Sequence, residues 1–307
     1  MPQFWSLLRF AMESKPVSND ATHKGEQPAP QPASAGVDPH TDGLGAGARG
    51  GFGRRFGETM SAAHRRVHRP RTHRSDPVWP RRFDRLVLLG LALVFLLSLF
   101  DEAATRHARD DQNVLFALMR AITDVGESQW YLVPAALVFF GAAFFDWRAV
   151  GFRGRRRLVL LFGQAGFAFA AVALSGLFVN VVKIIVGRAR PALLDEFGPH
   201  HFAPFSVEYL YASFPSGHAT TVGAVTALFC LWFPRLAWLW LALGVFFSAT
   251  RVVAAAHYLS DIAGGFMIGM AFTVLAARFL ARRGTVFRFV HGKILPAVIG
   301  RPATGRR

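Results

Sequence analysis

Cysteine is almost missing: among 307 residues there is one, Cys230. A lone thiol closes no intrachain disulfide, which excludes a small secreted fold held by crosslinks. Charge is scarce at 18% of residues, and acidic side chains are scarcer still, 19 against 35 lysines and arginines. A soluble domain usually carries about 25% charged residues, spread over its surface. Here 52% of the residues are hydrophobic, and they come in long blocks with the basic residues between and beyond them. That pattern excludes a simple globular enzyme. It also makes the net charge of +16 a signal of membrane topology rather than of a nucleic-acid partner. The composition is that of an integral membrane protein whose neighbours are lipids.

Residues 1–83 read differently from the rest. From Lys15 to Gly57 the chain is rich in Pro, Gly, Ala and Ser without apolar periodicity, and disorder is expected because little can be buried against the entropy of ordering. Arg9 interrupts the few apolar residues before Met12, and no small-residue cleavage site follows, so no signal peptide is expected. A basic run then leads into the first apolar block (Arg65, Arg66, Arg69, Arg71, Arg74, Arg81, Arg82, Arg85). The organisation expected is a disordered basic cytoplasmic arm over 1–83, a helical membrane domain over 84–282 and a basic cytoplasmic tail over 283–307.

Six apolar blocks approach the ~20 residues a helix needs to cross a bilayer. They lie at Leu86–Phe100, Trp130–Trp147, Leu158–Val182, Gly217–Phe233, Leu236–Val253 and Asp261–Leu280. An all-α polytopic fold with six transmembrane helices is predicted. Arg148, Arg153, Arg155, Arg156 and Arg157 fill the loop after the second block, Arg235 the turn after the fourth, and Arg278, Arg282, Arg283, Arg288 and Lys293 surround the end of the sixth. The loop after the first block instead holds Asp101, Glu102, Asp110, Asp111, Asp124 and Glu127. The positive-inside rule then places both termini in the cytoplasm and the loops after blocks one, three and five outside, in a cell (inner) membrane.

Ionisable residues at membrane depth cost ~2.5–3.5 kcal/mol each on the insertion scale, so those present carry meaning. Lys183 and Arg190 close the third block; if the helix reaches Pro191, they share a face two turns apart. An isolated pair of cations would read as snorkelling anchors, but these sit on the outward side, against the inside rule. Phe214-Pro215-Ser216-Gly217-His218 opens the fourth block in the manner of a helix N-terminus. Its free N–H groups and dipole favour an anion, and Gly217 lets the backbone come close to one. The plainer alternative is an ordinary cap followed by a packed histidine. Arg251 ends the fifth block, a break is expected at Ala254–Ala256, and His257 precedes Asp261 by four, a spacing that sets a carboxylate beside an imidazole. Lys183, Arg190 and Arg251 would repel a metal ion, so none is expected; the set suits an oxyanion.

Lys183-x6-Arg190-Pro191, Pro215-Ser216-Gly217-His218 and Arg251-x5-His257-x3-Asp261 resemble, in order, the three signature motifs of the type 2 phosphatidic acid phosphatase (PAP2) family. The resemblance covers roughly residues 85–282, and Thr250 stands where the family usually has serine. It implies a PAP2-type helical bundle and a metal-independent, cofactor-free lipid phosphatase. His257 would be the nucleophile forming a phosphohistidine, oriented by Asp261, and His218 the general acid. Lys183, Arg190, Ser216, Gly217 and Arg251 would hold the phosphoryl oxygens. A site at the outer interface, open sideways to lipid, suits undecaprenyl pyrophosphate, phosphatidic acid, phosphatidylglycerol phosphate or a lipid A phosphate. The loop from Leu193 to Tyr211 is expected to shape headgroup choice, with His200 and His201 outside the chemistry. Two rival readings are a non-catalytic lipid-phosphate binding or transport protein and, less favoured, a vanadium haloperoxidase.

Overall fold

A computed structural model describes residues 51–68, 77–111, 113–147, 150–290 and 292–300. The rest of the expected N-terminal arm, Arg148 and the last seven residues lie outside the described residues. The elements in chain order are α1 (Gly51–Val67), α2 (Arg81–Ser98), α3 (Asp101–Asp110), α4 (Val114–Ala121), α5 (Gln129–Phe144), α6 (Phe152–Val186), α7 (Leu194–Phe197), α8 (Gly217–Trp232), α9 (Ala237–Val253) and α10 (Leu259–Arg282). A short antiparallel pair follows, β1 (Phe287–Arg288) with β2 (Ala297–Val298), Phe287 opposite Val298. The fold is helical, with this one strand pair among the described residues.

Helix α1 corrects the expectation of disorder over its own length. Phe56, Met60 and Ala63 recur at helical spacing and pack on Ala142, Ala143 and Phe162. Phe56 stacks on Phe144 at 5.0 Å, and Arg55 pairs with Asp146 at 3.2 Å. Gly57, Glu58, Thr59 and Ser61 between these apolar residues dilute the stripe, which is why composition hides it.

A helix occupies each of the six apolar blocks. Helices α6 and α10 and the stretch Pro234–Val253 are long and apolar enough to cross a membrane. The pair α2 and α3 passes the same test together, bent by 55° at Leu99–Phe100. Helices α5 and α8 have 16 residues each, about 24 Å at ~1.5 Å per residue, short of the ~30 Å hydrocarbon core. Length and composition therefore give three crossings, or four with the bent pair. Outward faces are apolar: Leu89 is 68% exposed, Phe95 69%, Leu137 69% and Trp238 69%. Such a belt on a folded protein marks contact with lipid, and the chain is a multi-pass membrane protein.

Helix α8 is the core. From Ala219 to Leu231 every residue but Phe229 is buried, enclosed by α6, α9 and α10. Its contact with α10 is backbone to backbone. A Cβ at Gly223 would lie 2.2 Å from the Phe266 carbonyl oxygen, one at Gly265 2.3 Å from that of Ser216, and one at Gly269 2.1 Å from that of Thr220. Small residues at four-residue spacing permit this approach in membrane helices generally. Phe167, Val172, Leu228, Leu231 and Phe287 fill the adjoining cluster. At the far end of α10 the buried Arg278 guanidinium donates to the carbonyls of Pro77, Val78 and Ile294, which ties the segment before α2 and the tail to the bundle.

Gly269→Ala is expected to cost about 3 kcal/mol or more, because the atom its methyl meets is backbone and cannot turn aside. Gly141→Ala, with nothing within 4 Å of the added carbon, should leave the thermal unfolding midpoint in detergent unchanged or slightly raised. Equal midpoints for the two variants would refute the packing argument.

Candidate active site

The loops after α2, α6 and α9 meet the N-termini of α8 and α10 at one end of the bundle. Helix α6 carries Lys183 in its last turn and stops at Gly187, whose φ is +60° and whose N–H donates to the Lys183 carbonyl at 2.8 Å. A Cβ there would sit 1.8 Å from the Ala203 carbonyl oxygen, so glycine is required on two counts. Arg188 then bridges Phe202 in strand fashion, Ala189 N–H donates to His201 O and Arg190 N–H to Leu210 O. The shared helical face expected for Lys183 and Arg190 is thus not formed, because the helix ends before the second of them. They still converge: Lys183 Nζ at 3.0 Å and Arg190 Nη2 at 3.3 Å donate to the same Ala212 carbonyl.

Ser216 caps α8, its Oγ accepting from Ala219 N–H at 3.4 Å, and its own N–H donates to the Asp261 carbonyl at 3.1 Å. The N-termini of α8 and α10 are thereby tied together. A Cβ on Gly217 would lie 4.0 Å from Lys183 Nζ. His218 lies within electrostatic reach of Lys183, Arg190, Arg251 and His257, and its buried Nε2 has no hydrogen-bond partner among the described residues.

Helix α9 ends at Val253 and α10 begins at Leu259, so the break expected at Ala254–Ala256 is there. Ala255 turns it with a φ of 50°, unusual for a residue with a side chain. Arg251 reaches Thr123 Oγ1 at 3.2 Å through Nη1, while its buried Nε has no hydrogen-bond partner among the described residues. Thr250 keeps its hydroxyl in use, donating to Phe247 O at 2.7 Å and lying 3.2 Å from Thr123 Oγ1.

His257 precedes the α10 cap, Tyr258, and is 2% exposed. Its Nδ1 is 3.6 Å from Asp261 Oδ2, an ion-pair distance longer than a hydrogen bond. Burial pushes the His257 imidazole down to about 4; Asp261 opposes the shift, and Lys183 and Arg190 add to it. Near neutral pH the ring is uncharged.

All the residues singled out in the sequence come together: Lys183, Arg190, Ser216, Gly217, His218, Arg251, His257 and Asp261. What the sequence reading missed is the support behind Asp261. Its Oδ1 accepts from Arg188 Nη1 at 2.7 Å, and its Oδ2 from Ser213 Oγ at 2.6 Å and Tyr258 N–H at 3.0 Å. The other arm of Arg188, Nη2, donates to Asp101 Oδ2 at 2.7 Å. Ser260 completes the frame, its N–H on Asp101 Oδ1 at 2.9 Å and its hydroxyl between Asp101 and Arg188. Burial disfavours the charge on Arg188, but Asp261 and Asp101 outweigh it and hold the guanidinium above its ordinary pKa. Arg188 lies inside the first motif, so that signal was present; Asp101 was visible only as an acidic residue at a span boundary.

A further group went unread. Oxygen atoms of Asp124 and Glu127 and a ring nitrogen of His218 lie within 4.8 Å of one another. Glu127 also accepts from Gln129 at 2.6 Å. These acids flank His218 on the side of the loop before α5. Over the cations lies the 193–211 loop, with the Tyr209 ring 3.8 Å from the Arg190 guanidinium carbon. His201 stacks on Phe197 at 4.5 Å.

Residues 164–285, which hold every motif position, match the PAP2 superfamily. The chain is 34% identical over 210 residues to a lipid A 1-phosphatase of Rhizobium johnstonii, covering 68% of this chain and 85% of that one. It is 33% identical to the lipid A 1-phosphatase of Rhizobium etli, over 68% and 90% of the two chains. A crystal structure of a transmembrane PAP2-type phosphatidylglycerolphosphate phosphatase from Bacillus subtilis aligns with a TM-score of 0.40 and 22% identity, over 62% of this chain and 92% of that one. With two relatives above 30% identity matched along most of their length, the chain belongs to the PAP2 superfamily and is a phosphatase, a phosphoric ester hydrolase of the membrane.

Proposed function

We propose that the protein removes the 1-phosphate of lipid A at the extracytoplasmic face of the inner membrane, through a phosphohistidine and without a metal. The observation that carries the chemistry is the convergence of Lys183, Arg190 and Arg251 on the α8 N-terminus, beside His257, which faces Asp261 through Nδ1, and His218, whose buried Nε2 has no hydrogen-bond partner among the described residues. The likeness to the Rhizobium lipid A 1-phosphatases supports the substrate.

The phosphoryl oxygens are held by the three cations, the Ser216 hydroxyl and the Gly217 N–H at the positive end of the helix dipole. His257 keeps its proton on Nδ1, toward Asp261, and attacks phosphorus through Nε2. As the N–P bond forms, the P–O bond to the sugar breaks, and His218 protonates the departing anomeric oxygen. A water then attacks the phosphohistidine, giving its proton back to His218 and releasing inorganic phosphate and neutral His257. Fixed cations around a pentacoordinate phosphorus supply most of the rate.

The topology that fits is six crossings, with α2, α5, α6, α8, α9 and α10 all spanning and the shorter two taken up by local thinning of the bilayer. The arginines of the 150–157 segment and Arg235 then face the cytoplasm, together with both termini, and the site faces outward.

The test is phosphate release from lipid A by detergent-purified protein in the presence of EDTA. Wild-type activity should survive chelation, and His257→Ala should lower kcat at least about 1,000-fold. Activity that disappears with EDTA, or an alanine variant that keeps its rate, would overturn the mechanism; faster release from a glycerol phosphate lipid would overturn the substrate.

Because the nucleophile is the neutral imidazole and its pKa lies near 4, the acid limb of kcat/KM, where His257 takes up a proton, should be centred near 4. An acid limb centred near the ordinary histidine value of ~6.5 would contradict the burial of His257 described above.

A further inference from the structure

Asp101, Arg188 and Asp261 form a line of three charges with side chains 0%, 4% and 0% exposed. Two negative charges and one positive leave the group one unit negative. A buried net charge is costly unless a partner completes it. The group next in line is His257, 3.6 Å from Asp261 and neutral until it reacts. The imbalance therefore lies beside the one ring that gains positive charge when it is phosphorylated.

Arg188 would be a poor neighbour for Asp261 on its own. A guanidinium given wholly to one carboxylate neutralises it and weakens its hold on the imidazolium. Asp101 counters this by setting a second negative charge against the guanidinium: Nη2 donates to it and to the Pro199 carbonyl, each at 2.7 Å, while Nη1 stays on Asp261 at 2.7 Å. Ser260 fixes the division, because its hydroxyl lies 2.7 Å from Nη1 and donates to Asp101. Asp101 comes from the first turn of α3, 159 residues before Ser260, so no local motif contains the pair.

We propose that Asp101 is a positioning residue for the reaction: by sharing Arg188, it leaves Asp261 the negative charge that stabilises His257 as the nitrogen–phosphorus bond forms. The inference rests on His257 being the nucleophile. His257 also faces Lys183 from α6, Arg190 from the loop after it and His218 from α8, and its backbone N–H donates to the Arg251 carbonyl at 3.3 Å. Lys183 and Arg190 are cations that oppose a second positive charge, so the carboxylate side has to supply the balance.

The experiment compares wild type with Asp101→Asn for phosphate release from lipid A, the pH profile, and orthovanadate binding followed by vanadium NMR. Vanadate adds to the attacking nitrogen and reads the site without turnover. In the asparagine variant kcat should fall about tenfold or more at unchanged KM, and vanadate should bind weaker by a similar factor. The acid limb should move to lower pH, since less negative charge beside the ring lets it lose its proton more readily. Asp101→Glu should keep the limb in place. A variant whose activity falls only with its folded fraction, with the limb unmoved, overturns the proposal. If the asparagine variant does not fold, Ser260→Ala carries the test; it removes the hydroxyl that donates to Asp101 and accepts from Arg188 Nη1 and should move the limb in the same direction by less, and an unmoved limb there is equally fatal. A wild type that neither hydrolyses lipid A nor binds vanadate would instead bring down the functional reading itself.

Discussion

Helices α8 and α10 touch without side chains between them, and the placement of the reacting groups follows from that. Gly223, Gly265 and Gly269 allow the two backbones to meet, and in doing so bring the two helix N-termini to the same height. Ser216 N–H then finds the Asp261 carbonyl, and the cap of one helix becomes part of the base of the other. Anything that widened the crossing by an ångström would separate His218 from His257 before it disturbed either helix.

The second constraint is electrostatic. Cations gather on one side of His257, the proposed nucleophile, and carboxylates on the other, so His257 stands on the boundary between the two signs. Neither group is stable alone in a poorly polarisable setting. Lys183 and Arg190 relieve theirs through the Ala212 carbonyl, and Asp101 and Asp261 through Arg188. The protein's own groups hold these charges in place, which is the condition for fixed charges to act on a transition state rather than merely on a bound ligand.

Much of this was legible in the chain. Charged residues at the mouths of apolar blocks are so unfavourable that Lys183, Arg251 and Asp261 declared themselves, and Pro-Ser-Gly before an apolar run marked the α8 start. The end of α6 was left open between Val182 and Pro191, because Gly187 is an ordinary residue in a membrane helix and becomes a terminator only through its left-handed φ and the closeness of Ala203. Helix α1 was missed because its three packing residues are spread among polar ones. Asp101, Ser213 and Ser260 were out of reach for another reason: their role is a contact across 87 or more residues, or one with a motif residue, and spacing carries no trace of it. Ser213 sits 48 residues before Asp261.

The order in which these groups leave the ribosome has its own consequence. Asp101 is synthesised first, Arg188 follows 87 residues later, and Asp261 another 73 after that. Until α10 is inserted, the first two can pair as a neutral couple, which a membrane tolerates, and the carboxylate beside His257 is not yet in place. The line of charges behind His257 is therefore complete only when α10 docks.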